Sequence, residues 1–460
     1  MTDLTKQSAL ELAARIRRRE ISSEELTRYF LDRIERHDAQ LSAFTQVLRR
    51  RATVYARYQD YLLRTKHPDE LPTFHGVPTA LKDLTAMRGT FTRLGSKAYR
   101  WFVSPVDAPT AKLIKRGGFV VLGKTATSEF GVLPVTEPSI HPPTRNPWNM
   151  DHTPGGSSGG AGAAVAAGLV PIAQGSDGGG SVRIPAAFCH LFGFKPSPNL
   201  LGNLNGAVNK LEMSVMGPLA HGVEDAAAML DVLRGDVHAE RSSTSLLAQC
   251  RVAPKRLRIK MVVETPIGDV EPAIAAAVQA TAKTLEQLGH SVEPIARPEG
   301  TLDEFLPLWQ LMLAAVPVLG PLEAHLQPVT RWLRETGRTL DLETVKRTQR
   351  ALAARTAEMF GDADILLSPT VPVLPPRVGQ YAALGPRELF EAIAPIGSLT
   401  AAFNIAWRPA ANIPAGIGAN GLPFGIQLGG NVDRDAQVLA LAYQLEQAMP
   451  WRARRPRAFA

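Results

Sequence analysis

TPGGSSGGAGAAVAAGLVPIAQGSDGGGSVRIPAAFCHLFGFKPS, running from Thr153 to Ser197, sets two clusters of glycine and serine on either side of a run of small apolar residues. Gly155, Gly156, Gly159 and Gly160 surround Ser157 and Ser158, and Gly178, Gly179 and Gly180 lead straight into Ser181. Without a Cβ, glycine lets backbone approach a ligand closely. Hydroxyls beside exposed backbone N–H groups suit acyl transfer, which needs a nucleophile and donors for a developing oxyanion. Between the clusters the pattern predicts a helix over Ala161 to Ala167 and a buried strand over Leu169 to Ala173.

The alternation extends outward from there. Apolar residues recur at helical spacing through Leu10 to Ile16 and Leu26 to Ile34, with Ser22 and Ser23 placed to cap the second segment. Ala111 to Arg116 reads as helix and Phe119 to Leu122 as strand. Further on, Ile259 to Val263 and Ser291 to Pro294 read as strands around a helix from Ile274 to Leu288. Leu302 to Phe360 is mainly helical in pattern, followed by core strands at Ile365 to Leu367 and Gly425 to Leu428 and a last helix over Asp435 to Ala448. Alternating helix and buried strand indicates an α/β layer arrangement. The polar stretch His238 to Pro254 reads as a long surface connection.

With 460 residues, 45% of them apolar and 20% charged, the chain is long enough to bury one large core or two fused ones. Its longest uncharged stretches, Gly159 to Ala173 and Phe305 to Leu322, are broken by Gly or Pro and fall short of the ~20 apolar residues of a membrane span. The N-terminus lacks the apolar core of an export signal, so a cytoplasmic protein without a membrane partner is the expectation. Cys189 and Cys250 stand far apart and outside any ligand spacing, which supports neither a disulfide nor a metal site. The formal charge of +8 comes partly from Arg15, Arg17, Arg18 and Arg19, from Arg49, Arg50 and Arg51, and from Arg452, Arg454, Arg455 and Arg457. These are not interleaved with aromatic residues, so they read as solvated faces and no nucleic-acid partner is expected.

The glycine-serine region, together with GVPTALKDL (Gly76 to Leu84), VVLGKTATSEFG (Val120 to Gly131) and IPAGIGANGLPFGIQLGG (Ile413 to Gly430), resembles the amidase signature family along nearly the whole chain. The resemblance implies a single compact α/β domain over residues 1–460, with a mixed central β-sheet covered by α-helices and an N-terminal helical hairpin at about 6–37. It implies cleavage of a carboxylic amide C–N bond through a serine acyl-enzyme, releasing acid and ammonia or an amine. Ser181 aligns with the family's nucleophile, Ser157 with its bridging serine on a cis peptide, and Lys82 with its base. Gly178, Gly179 and Gly180 align with the oxyanion hole. Asp177 and Arg183 match positions that tie the loop down, a role that overlaps with that of an ordinary ion pair. No cofactor and no metal are implied. The partner is a small-molecule amide, and a homodimer is left open.

Chemistry constrains Lys82 further. An ammonium of ordinary pKa, ~10.4, accepts no proton at neutral pH, so the amine must be neutral, and burial is what lowers a lysine pKa. Val77, Ala80, Leu81 and Leu84 fit such enclosure, whereas Asp83 would oppose it if it faced the amine, and it is expected to point elsewhere.

Rival readings remain at this level. GGSSG at Gly155 to Gly159 satisfies the G-x-S-x-G nucleophile elbow, yet the preceding Arg145 to Pro154 lacks the core strand an elbow needs, and none of His190, His221, His238, His290 and His325 carries a triad signature. GIGANG at Gly416 to Gly421 follows Pro-containing loop sequence and leads into a strand, which does not suit a dinucleotide site. The glutaminase component of a tRNA-dependent amidotransferase resembles the chain closely, although such proteins typically carry Gln where Ile184 stands. A non-catalytic binding homologue is opposed by the intact Lys82, Ser157 and Ser181. Gly178 replaces the Thr common in the family, which should loosen the loop, and Ser197 to Met213 diverges most. Trp309, Leu311 and Met312 form a helical stripe that reads as core ahead of pocket lining.

Overall fold

Short runs form the strands β1 (Phe44–Val47), β2 (Pro78–Lys82), β3 (Val120–Thr125), β4 (Ile172–Asp177), β5 (Phe192–Lys195), β6 (Val215–Ala220), β7 (Arg258–Met261), β8 (Ser291–Pro294), β9 (Ile365–Pro369), β10 (Ala410–Ile417) and β11 (Pro423–Gly430), with β1, β7 and β8 only partly buried. The structure is a computed structural model, and it describes residues 3–202, 204 and 208–459. The strands join in one 11-stranded sheet in the order β1-β3-β2-β4-β6-β5-β10-β11-β9-β7-β8. β2 runs parallel to β3 and β4, and β7 parallel to β8 and β9, while the other neighbours are antiparallel. Helices cover this mixed sheet in a single compact α/β unit. β2, β3 and β4 are buried at every residue, as parallel strands sandwiched between helices must be.

One junction positions everything that follows. β2 ends at Lys82 and β4 at Asp177, and Leu81 lies opposite Gln174 in their parallel register. The carboxyl ends of both strands therefore share one edge of the sheet, the side on which open α/β sheets place ligands.

The glycine-rich run is a packed helix, not a linker. All residues of Gly159–Ala166 are buried, as a helix apolar all round requires. A Cβ on Gly160 would collide with the backbone of Ala126 and Ala43, so glycine here allows main chain to touch main chain. The helix stops at Gly168, whose φ is 64°, and the next strand starts at Ile172 instead of Leu169 because Leu169 to Pro171 make the turn. At the N-terminus, helices Ala9–Arg17 and Ser23–Leu41 each open on a capping box, Ser8 with Glu11 and Ser22 with Glu25.

Two expectations are corrected. His238 to Pro254 is a surface connection only in part: Glu240, Arg241 and Arg251 to Ala253 are exposed, but it holds the helix Leu246–Cys250, with Leu246, Leu247 and Cys250 buried and the Asp231 carboxylate accepting from the Leu246 and Leu247 N–H groups at 2.8 and 3.0 Å. The Pro-containing sequence before GIGANG is strand β10, tolerated because Pro414 sits at a register shift. GIGANG thus straddles the end of a strand and a hairpin turn into β11, and no helix follows it. Part of the divergent Ser197 to Met213 piece, residues 203 and 205–207, lies outside the described residues; of the rest, Leu211 and Met213 are buried.

Several of the N-terminal arginines are ion-paired, Arg15 and Arg18 with Glu20, Arg17 with Glu240, and Arg49 with Asp32 and Glu35. Among the described residues no helix is long and apolar enough to cross a membrane.

Candidate active site

Lys82 closes β2 with its side chain fully buried. Its Nζ donates to Ser157 Oγ at 2.7 Å, to Ser176 Oγ at 3.1 Å and to the Ser176 carbonyl at 3.3 Å. These neighbours are all neutral. Burial pushes the amine's pKa down to about 7, against a weaker upward pull from the Asp177 charge. Asp83 faces away: its Oδ1 accepts from Lys124 Nζ at 3.0 Å and its Oδ2 from Thr45 Oγ1 at 3.0 Å.

Ser157 follows a cis peptide bond from Gly156. The next residue sews the two glycine-serine clusters together. Ser158 N–H donates to the Ser181 carbonyl at 3.2 Å, and Ser158 Oγ donates to the Ser176 carbonyl at 3.2 Å. Lys82, Ser157 and the backbone of Ser181 are thereby joined in one buried knot at the ends of β2 and β4.

The loop after β4 is held by Asp177. Its carboxylate accepts from Gly180 N–H at 2.7 Å, from Val182 N–H at 3.1 Å, and from Arg183 Nε and Nη2 at 3.0 and 2.9 Å. The remaining Arg183 donors reach the Thr400 carbonyl at 2.9 Å, Gln427 Oε1 at 2.7 Å and Asn404 Oδ1 at 2.6 Å. Burial alone would raise the Asp177 pKa, but the Arg183 charge and hydrogen bonds overcome it and hold the carboxylate well below its ordinary range. Both side chains are fully buried, so each charge is compensated by the other.

Gly180 departs from the expected oxyanion set. Its N–H donates to Asp177, so it shapes the loop and is not free for an oxyanion. Its φ is 128°, and a Cβ would overlap Thr400 Oγ1, which itself donates to the Gly179 carbonyl at 2.7 Å. The Gly178, Gly179 and Ser181 N–H groups have no acceptor among the described residues. A Cβ on Gly179 would touch the Trp309 ring at 3.5 Å, and one on Gly178 the same ring at 3.5 Å and Ser214 Cβ at 3.7 Å, all ordinary contacts. Trp309 occupies that side of the loop and donates Nε1–H to the Val132 carbonyl at 3.1 Å.

Ser181 and Gly179 lie on the wall of a cavity of ≈ 170 Å³, whose lining includes Trp309 and Ile184 but no histidine. The Trp309 stripe thus divides: Trp309 faces the cavity, whereas Leu311 packs into a separate apolar cluster with Leu211 and Met213. Of the other histidines, His221 is tied to the Val165 carbonyl and His290 to Gln444 and the Leu257 N–H. Among the described residues no three His, Cys, Asp or Glu side chains converge as metal ligands.

Sequence reasoning missed Ser176, Thr400, Asn404 and Gln427. Ser176 stands five residues before Ser181 and carries a readable signal, a hydroxyl at the end of the strand beside Lys82. The other three come from distant chain segments, and only tertiary pairing reveals them.

The Amidase family model matches residues 25–439. A protein of Synechocystis sp. that carries an amidase name is 36% identical over 457 residues, covering 98% of this chain and 90% of its own. A glutamyl-tRNA(Gln) amidotransferase component of Thermosynechococcus vestitus is 31% identical, covering 97% of this chain and 98% of its own. Among solved structures, 6-aminohexanoate cyclic dimer hydrolase superposes with a TM-score of 0.88 at 29% identity over 100% of both chains. A bacterial aryl acylamidase does so with 0.86 at 26% identity over 97% of this chain and 96% of its own.

Proposed function

Because the chain belongs to the amidase signature family of amide hydrolases, we propose that it cleaves its amide by acyl transfer to Ser181, with Ser157 and Lys82 relaying the proton. The observation that carries this reading is the buried contact between Lys82 Nζ and Ser157 Oγ at 2.7 Å, one residue from the hydrogen bond that ties Ser158 to Ser181. An amine whose pKa sits at about 7 is free to accept a proton at neutral pH.

Neutral Lys82 takes the Ser157 proton as Ser157 takes that of Ser181, and Ser181 Oγ bonds to the carbonyl carbon. The C–N bond then breaks while the proton returns along the same route to the departing nitrogen. Water attacks the resulting ester with the relay again acting as base, releasing the acid and restoring Ser181. Gly178, Gly179 and Ser181 N–H groups are the donors for the oxyanion, and losing one such donor costs about 3–4 kcal/mol of barrier in comparable sites. Asp177 and Arg183 hold the loop that presents them.

The glutaminase alternative has less support, since Ile184 puts an apolar side chain on the cavity wall. The test is labelling of the full-length chain by a fluorophosphonate, read by peptide mass, alongside ammonia release from primary amides. Label on Ser181, lost in Ser181→Ala, is the expected result. Label elsewhere or none, with no amide turned over, would sink the reading.

A further inference from the structure

The helix Leu302–Ala314, opened by a capping box of Thr301 and Glu304, places Phe305 and Trp309 one turn apart on the same face. Their ring centroids are 5.6 Å apart, and the Trp309 hydrogen bond to Val132 fixes the pair against the Ser181 loop. Phe390, from the helix Pro386–Gly397, and Phe403, from Ala401–Ile405, line the same cavity. The space in this half-open cavity is ≈ 170 Å³, and an apolar cavity of about 150 Å³ takes up benzene.

The charged side chains on the lining are Glu299, Glu304 and Arg355. Arg355 Nη1 pairs with Glu304 Oε1 at 2.9 Å, both half-exposed, and Glu299 is exposed. Two carboxylates against one guanidinium leave the lining net negative. An anionic substituent would meet no uncompensated cation on the cavity wall and would leave water for a surface of its own sign.

Orientation follows from which catalytic groups touch the cavity. Ser181 and Gly179 line it, whereas Lys82 and Ser157 do not. The leaving nitrogen, which receives its proton from Ser157, must therefore face away from the cavity, and the acyl group must face into it.

We propose that this enzyme prefers uncharged amides whose acyl group carries one aromatic ring or a branched apolar group of that size, held by Phe305, Trp309, Phe390 and Phe403. The proposal rests on the acyl-enzyme reading above and adds the substrate class to it. Trp309 sets the depth of the site.

The experiment measures kcat/KM of the full-length chain for acetamide, benzamide, 2-naphthamide and L-glutamine, normalised to the sites that a fluorophosphonate titrates. Benzamide should exceed acetamide by at least about tenfold, the scale on which an apolar pocket discriminates size. L-Glutamine should lie at least about a hundredfold below benzamide. In Trp309→Ala the ratio of 2-naphthamide to benzamide should rise at least about tenfold, and Phe305→Ala, at a half-buried position, should move the ratio the same way should the first variant fail to fold. Equal rates for acetamide and benzamide, a preference for glutamine, or unchanged ratios in both variants would overturn the proposal. If Ser181 is labelled and any of these results appears, only the substrate class falls; if nothing is labelled and no amide is cleaved, the acyl-enzyme reading falls with it.

Discussion

Lys82 and Lys124 lie on neighbouring parallel strands, one register step apart, and both are fully enclosed. Lys124 meets the Asp83 carboxylate at 3.0 Å, while Lys82 meets the Ser157 hydroxyl at 2.7 Å. Burial lowers the pKa of both, but for Lys124 the charge and hydrogen bond of Asp83 oppose it, whereas Lys82 has only a weaker pull from Asp177. Equal burial therefore meets a charged partner on one strand and neutral hydroxyl and carbonyl partners on the next. The partner decides, and consecutive residues of a single turn, Lys82 and Asp83, are steered to opposite uses.

Breaking the Lys82 side should produce the largest effect. Lys82→Met should lower kcat/KM at least about 10³-fold, within the range general-base catalysis supplies. The same change should leave the thermal midpoint at pH 8 unchanged or higher. The sign follows from linkage: with the folded pKa at about 7 and an unfolded value of ~10.4, the unfolded chain binds the extra proton between those pH values, so the native amine penalises folding there. Calorimetry beside kinetics checks both halves.

Breaking the Lys124 side should do the reverse. Asp83→Asn strands a buried ammonium and should cost about 3–5 kcal/mol in urea unfolding, with turnover per labelled site retained. Replacing both partners, Lys124→Met with Asp83→Leu, should recover much of that loss, since buried ion pairs are often matched by apolar packing.

A smaller contrast sharpens the picture around the loop. Gly180→Ala forces a side chain into φ 128° and onto Thr400, and should cost about 1–3 kcal/mol together with slower labelling of Ser181. Gly178→Ala meets the Trp309 ring and Ser214 Cβ at ordinary contact distances and should stay within about 0.5 kcal/mol of the parent.

Much of this was legible in the residues. The helix-strand alternation indicated an α/β arrangement, and the motif resemblance pointed to Lys82, Ser157, Ser181, Asp177 and Arg183, which the fold brings to one edge of the sheet. Sheet order was not legible, because β5 and β6 reach β10 and β4 through pairings more than a loop apart in sequence. β10 was hidden by Pro414, which reads as loop until a register shift accommodates it. Gly180 looked like its glycine neighbours, and only the Asp177 carboxylate reveals that its N–H is occupied. Thr400, Asn404 and Gln427 carry no local signal, since their role exists only where distant segments meet Arg183.

The rate at which a fluorophosphonate inactivates the full-length chain, followed by intact mass from about pH 5.5 to about pH 10, probes the neutral amine of Lys82 most directly. The second-order rate constant should climb about tenfold per pH unit below the midpoint and level off above about 7. A flat profile, or a rise centred near ~10.4 as for an ordinary lysine, would contradict it.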